Sequence, residues 1–166
     1  MGRARVARRS RPERVNTRRA GERDLDLVRV LWGEYEREIA SVRRTPWTWG
    51  WEDVEPRLGH AAVFVAEVGG TPAGFAIASR SRPDIGHVDD LYVRPAYRRR
   101  GVAAAILGEL ARAFHERGVE HVALDVDASN EPARTLYESV GFTRYADRFF
   151  VEVGALEDSL ARRLRS

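Results

Sequence analysis

Residues 92–107 read YVRPAYRRRGVAAAIL. An apolar run closing at Val93 reads as strand, the alanine-rich run after Gly101 reads as helix, and three consecutive arginines with a glycine form the joint. A helix N-terminus exposes unpaired amides and the positive end of its dipole, so a turn that gathers those amides into one concavity binds anions. Gly101 lets the backbone approach a bulky anion, and Ala103 and Ala104 keep the first helical turn low. A nucleotide or pyrophosphate suits such a turn better than a single carboxylate. A plain strand-to-helix connection with its arginines facing water fits the spacing equally well. Neither GxxxxGK[ST] nor GxGxxG occurs, which excludes a P-loop and the dinucleotide fingerprint.

Upstream, residues 14–19 read as a first short strand, and DLDLVRVLWGEYEREIA carries Leu25, Val28, Leu31, Trp32, Tyr35 and Ile39 at helical spacing, giving a helix over 24–40. Pro46, Gly50, Pro56 and Gly59 break the next segment into a loop with a short helix over 52–58. Strands over 62–68 and 72–79 flank Gly69-Gly70, the strongest hairpin signal in the chain. A strand over 87–93 joins them. Downstream, the spacing predicts a helix over 101–117 stopped by Gly118 and a strand over 121–126. A helix opened by Asn130 and stopped by Gly141 follows, then one or two strands over 142–153 and an amphipathic end over 158–165. The hairpin and the order of elements argue for an α+β fold around one mixed sheet rather than a doubly wound one.

At 166 residues the chain fits one domain with or without a tail. Residues 1–13 are expected to be a disordered basic tail and 14–166 the domain. Met1 to Arg23 holds 9 Arg against 2 Glu, whereas the rest of the chain is net acidic. The tail has neither the apolar core of an export signal nor aromatics to stack bases, so nucleic acid is not expected as a partner and the cytoplasm is the expected compartment. No stretch is apolar enough to span a membrane, which excludes one as a partner. All 28 basic residues are arginine and cysteine is absent, so Schiff-base lysine chemistry, thiol intermediates and thiolate metal sites are excluded. His60, His87, His115 and His121 have no spacing with acids that suggests a metal, and none is expected.

Two motifs resemble a known family. Arg98-Arg99-Arg100-Gly101-Val102-Ala103 is similar to the [QR]xxGx[GA] pyrophosphate loop of the GCN5-related N-acetyltransferase (GNAT) superfamily, preceded by that family's strand ending Asp90-Leu91-Tyr92-Val93. Asn130 to Phe142, NEPARTLYESVGF, is similar to its NxxAxxLYexxGF. Ala103 replaces the commoner glycine with another small residue. The resemblance spans roughly residues 15–153. It implies a GNAT-like mixed, mostly antiparallel sheet flanked by helices, in which a bulged strand splays from its neighbour to open an acyl-CoA cleft. It also implies acetyl-CoA as cosubstrate. Amides from Arg99 to Ala103 would hold the pyrophosphate, and the strand ending in Val93 would pair with the pantetheine arm. An amide near Leu91 or Tyr92 would bind the carbonyl oxygen, and Asn130 would bond the arm or cap its helix.

The implied reaction is acetyl transfer to an amine by direct attack in a ternary complex. Asp90, Asp89 and then His87 rank as candidates for the base; a solvated strand end whose aspartates cap turns is the alternative. Two successive strand residues face opposite ways, so without a bulge only one aspartate reaches the cleft. Tyr137, on the inner face of its helix, is by resemblance the proton donor to the departing thiolate, or else a core tyrosine. Trp47, Trp49 and Trp51 alternate, so an extended segment sends all three to one side, lining an acceptor site or packing into the core. The acceptor is expected to be a small-molecule amine, with a protein N-terminus or lysine as the rival and a non-catalytic CoA-binding or nucleic-acid-binding module as the other class. The resemblance leaves room for a homodimer.

Overall fold

The computed structural model describes residues 14–43, 48–146, 151 and 153–163. The expected tail and Trp47 lie outside them. Two compact units divide between Asn130 and Glu131. The first holds β1 (Val15–Arg19), α1 (Leu25–Ala40), α2 (Trp51–Leu58), β2 (Ala62–Val68), β3 (Thr71–Arg82), β4 (Ile85–Val93), α3 (Val102–His115) and β5 (His121–Leu124). The second holds α4 (Glu131–Ser139) and α5 (Val153–Arg163).

The five strands lie in sequence order, antiparallel from β1 to β4, with β5 parallel to β4. The β2–β3 hairpin turns on Gly69 and Gly70, both at positive φ (59° and 81°), the conformation a tight two-residue turn requires. Alternation divides the sheet into two apolar faces. Val63, Val65, Phe75, Ile77 and Tyr92 pack with Val28, Leu31 and Trp32 of α1 and Val54 of α2. On the opposite face α3 buries Val102, Ile106, Leu110 and Phe114. A Cβ on Gly86 would fall inside the Phe114 ring, so the absence of a side chain there lets α3 lie close to the sheet.

Charged clamps tie α1 to the sheet. Arg94, just past β4, forks onto Glu34 of α1 with two bonds of 2.8 Å and donates to the Pro72 carbonyl at 2.7 Å. Asp24 accepts two bonds from Arg18 at 2.8 Å and one from the Gly21 amide, which holds its carboxyl well below the usual range.

The sequence reading differs from the structure at the C-terminal end. Residues 142–146 form no strand, Tyr145 is fully exposed, and a helix begins at Val153. Residues 147–150 lie outside the described chain. Val153, Leu156 and Leu160 stand at i, i+3 and i+7, so the helix takes in both Val153, expected to close a strand, and the start of the amphipathic end expected from 158.

Candidate functional site

β4 pairs with β5 only from Ile85 to Val88, against His121 to Leu124, whereas on its other edge it stays paired with β3 as far as Val93. The two parallel neighbours therefore part at Asp89. The β3–β4 register slips at the same point: Ala78 pairs with Val88 and Ile77 with Asp90, leaving Asp89 as the extra residue of a bulge.

That bulge decides where the aspartates go. Gly86 and Val88 face α3, and Asp90 and Tyr92 face α1 and α2. With an extra residue between them, Asp89 and Asp90 line the same cleft. This cleft, of about 270 Å³, is walled by Val54, Arg57, His60 and Ala61 from α2 and the turn after it, and by Ile77, Ser79 and Arg80 of β3.

The two carboxyls have different surroundings. The Asp89 Oδ1 accepts from Ser79 Oγ at 3.0 Å, lies 3.1 Å from His87 Nδ1, and has an Arg57 nitrogen at 3.8 Å. His87 also reaches Asp125, Nε2 to Oδ2, at 3.6 Å. Burial pushes the Asp90 carboxyl up to about 6, the neighbouring Asp89 charge adding to the effect, while a hydrogen bond with Tyr35 and the charge of Arg57 pull the other way. One carboxyl is surrounded by donors and the other has its pKa raised by burial, a division suited to proton transfer.

At the other end of β4, Pro95–Tyr97 forms one 3-10 turn, Arg99 takes a left-handed conformation (φ 59°) and Gly101 another (φ 80°) before α3 begins. The Ala105 amide is the first to enter the helix ladder, on the Gly101 carbonyl at 2.9 Å. The amides of Val102, Ala103 and Ala104 precede it at the positive end of the dipole. A Cβ at Gly101 would meet nothing within 4 Å, so the loop leaves room above its backbone. The arginines here have separate tasks. Arg98 bonds the Val93 carbonyl at 2.9 Å and Glu38 at 2.6 and 2.7 Å, and lies over the Tyr92 ring, so its guanidinium fastens the turn to α1. Arg100 lies over Tyr97. The donor set at the turn is therefore chiefly backbone amide, which suits a diphosphate.

The tryptophans do not act as one face. Trp51 begins α2 and packs on Trp32, ring centroids 5.9 Å apart, whereas Trp49 is 48% exposed with Arg57 over its ring at 5.7 Å. Helix formation from Trp51 onward breaks the alternation that an extended segment would have kept. Asn130 directly precedes α4, its amide on the Asp127 carbonyl. Within the second unit, Tyr137 packs edge-on against Phe142, centroids 5.7 Å apart, and burial raises its phenol pKa above the ordinary value.

Residues 26–142 match the model of the Acetyltransferase (GNAT) family. The chain belongs to this family. Among similar proteins, a mycothiol acetyltransferase of Thermomonospora curvata is 37% identical over 103 residues, covering 59% of this chain and 35% of that protein. An N-alpha-acetyltransferase of Sulfurisphaera tokodaii is 36% identical over 94 residues, covering 49% of this chain and 56% of that protein. The GNAT chain thus spans about a third to a little over half of the length of these curated relatives. In fold it is similar to the aminoglycoside acetyltransferase AAC(6')-Iy solved with a bisubstrate analog, with a TM-score of 0.68 at 20% identity over 84% of this chain and 97% of that one. It is also similar to a ribosomal-protein-alanine N-acetyltransferase of Brucella melitensis, with a TM-score of 0.65 at 22% identity over 84% of this chain and 99% of that one.

Sequence reading of this GNAT site missed Arg57, Ser79, His60 and Tyr35. Ser79 was legible in principle, since it stands two residues from Ile77 on a strand whose face was known. Arg57 was not, because its reach to Asp89 depends on how α2 lies across the sheet.

Proposed function

We propose that the chain transfers an acetyl group from acetyl-CoA to the amine of a small molecule by direct attack in a ternary complex. The observation that carries this reading is the bulge at Asp89, which delivers two carboxylates to one cleft where β4 and β5 part.

Acetyl-CoA, when bound, supplies the electrophilic thioester carbonyl that the amine attacks. The amides that begin α3 would hold its diphosphate, and the edge of β4 beyond Val88, free of β5, would receive its amide-bearing arm. An alkyl amine is protonated at neutral pH, and freeing its lone pair costs about 4.6 kcal/mol at pH 7. Asp90, with its carboxyl raised to about 6, is a stronger base than an ordinary aspartate and still mostly ionised at pH 7. It takes the proton of the ammonium and so frees the lone pair before the C–N bond forms; the second nitrogen proton is lost as the adduct collapses, which balances the proton that the sulfur takes up. Asp89 brings a second carboxyl to the same cleft. Tyr137, kept protonated by its burial, is assigned the proton that the leaving sulfur requires as the C–S bond breaks. The absence of cysteine favours one displacement without a covalent thiol intermediate.

A protein N-terminus is the second acceptor, favoured by the likeness to the N-alpha-acetyltransferase. A screen for release of free coenzyme thiol over amines and short peptides, run with Asp90→Asn and Tyr137→Phe, tests both. Turnover of small amines that falls in Asp90→Asn supports the reading; turnover confined to peptides moves the acceptor to proteins. No turnover on either panel sinks it.

A further inference from the structure

A second cleft of about 250 Å³ adjoins the acidic one and shares His60, Ala61, Ser79 and Arg80 with it. Beyond these it is walled by Arg19 at the end of β1 and by Phe114 and Arg117 at the end of α3. No carboxylate lines it, in contrast to the first cleft. Among the described residues Arg19, Arg80 and Arg117 make no ion pair; Arg80 donates to the Pro83 carbonyl.

These arginines do not serve the donor's diphosphate. Arg80 is paired with Gly86, near where β4 begins, and Arg19, paired with Phe64, lies on the edge strand β1, three strands away from β4. The glycine turn follows Val93, seven residues along β4 from the partner of Arg80, roughly 23 Å away. Arg19 and Arg117 line only the second cleft, which has no carboxylate, Asp89 and Asp90 only the first, and Arg80 lines both, so the two adjoining clefts differ in charge.

We propose that the acceptor carries, besides its reacting amine, an oxyanion group, carboxylate or phosphate, which seats against Arg80, Arg117 and Arg19 while the amine meets Asp89 and Asp90. The amine end rests on the acetyl-transfer reading, and the acidic end rests on the arginine geometry. Planar guanidinium forks suit either oxyanion, and His60 lines both clefts.

The test is calorimetric binding of hexylamine, 6-aminohexanoate and 6-aminohexyl phosphate to the full chain, in wild type, Arg117→Gln and Arg19→Gln, with acetyl transfer to the same three compounds followed separately. The acidic compounds are expected to bind at least roughly ten-fold more tightly than hexylamine, with each substitution removing most of that gap. The tighter of the two acidic compounds identifies the oxyanion. Equal affinity for all three, no binding of the acidic pair, or a gap that survives both substitutions overturns the inference. A gap without any acetyl transfer upholds the acidic end and removes the transfer reading. Transfer without a gap does the reverse.

Discussion

Asp89 and Asp90 are consecutive in the chain and still line one cleft, because Asp89 has no partner in the register that joins Val88 to Ala78 and Asp90 to Ile77. A regular strand would have sent one of them under α3. The bulge thus creates a like-charge pair, and this pair, with burial, raises the Asp90 carboxyl to about 6.

A raised carboxyl in the folded state has a cost that Asp90→Asn removes. The ordinary value is 3.8 and the folded value about 6, so the folded chain binds this proton more tightly than the unfolded one. The favourable contribution is fully present below about pH 4 and is lost as pH rises through about 6. At pH 8 wild type therefore carries a penalty of up to about 3 kcal/mol, which Asp90→Asn is expected to relieve, while the two proteins converge near pH 4. Urea unfolding at both pH values measures the difference.

Gly86→Ala is expected to destabilise by about 1–3 kcal/mol, because its Cβ would come within 2.4 Å of the Phe114 ring and push α3 off the sheet. Phe114→Leu, costly by itself, should cost less on the Gly86→Ala background. Additive losses in a double-mutant cycle would show that the contact does not govern the spacing.

Gly101→Val tests the turn through conformation, since nothing lies within 4 Å of the added Cβ and the φ of 80° is what a β-branched residue resists. A loss of about 1–2 kcal/mol in stability and a rise of roughly ten-fold in the KM for acetyl-CoA are expected, read by thermal melts and initial rates. Gly108→Ala, within α3 and equally uncrowded, should instead stabilise by about 0.5–1 kcal/mol.

The fold was legible where local chemistry dictates it. Gly69-Gly70 marked the hairpin, the period of Val28, Leu31 and Trp32 marked α1, and the glycine at 101 marked the start of α3. β4 was legible as a strand from its residues, whereas its bulge and the opening beside it came only with the family resemblance, because a one-residue slip leaves no mark on residue type. Which residue is the extra one, and that Asp89 and Asp90 therefore share a cleft, is visible only in the register. Trp51 takes the core position, one of the two places its sequence left open, because Gly50, with its amide on the Asp53 carboxylate, starts a helix there. Arg98 opens the turn motif, and its pairing with Glu38, sixty residues away, is a tertiary fact that the motif does not carry.

The pH dependence of kcat/KM at saturating acetyl-CoA reads whether the Asp90 carboxylate takes the proton from the amine. For wild type the rate should fall tenfold per pH unit below a break near 6, as the raised carboxyl becomes protonated. Asp90→Asn should lose that break and drop by about 10²–10⁴ on the plateau, with acetyl-CoA affinity little changed. The same acid limb in the variant, at a comparable plateau, would contradict the account.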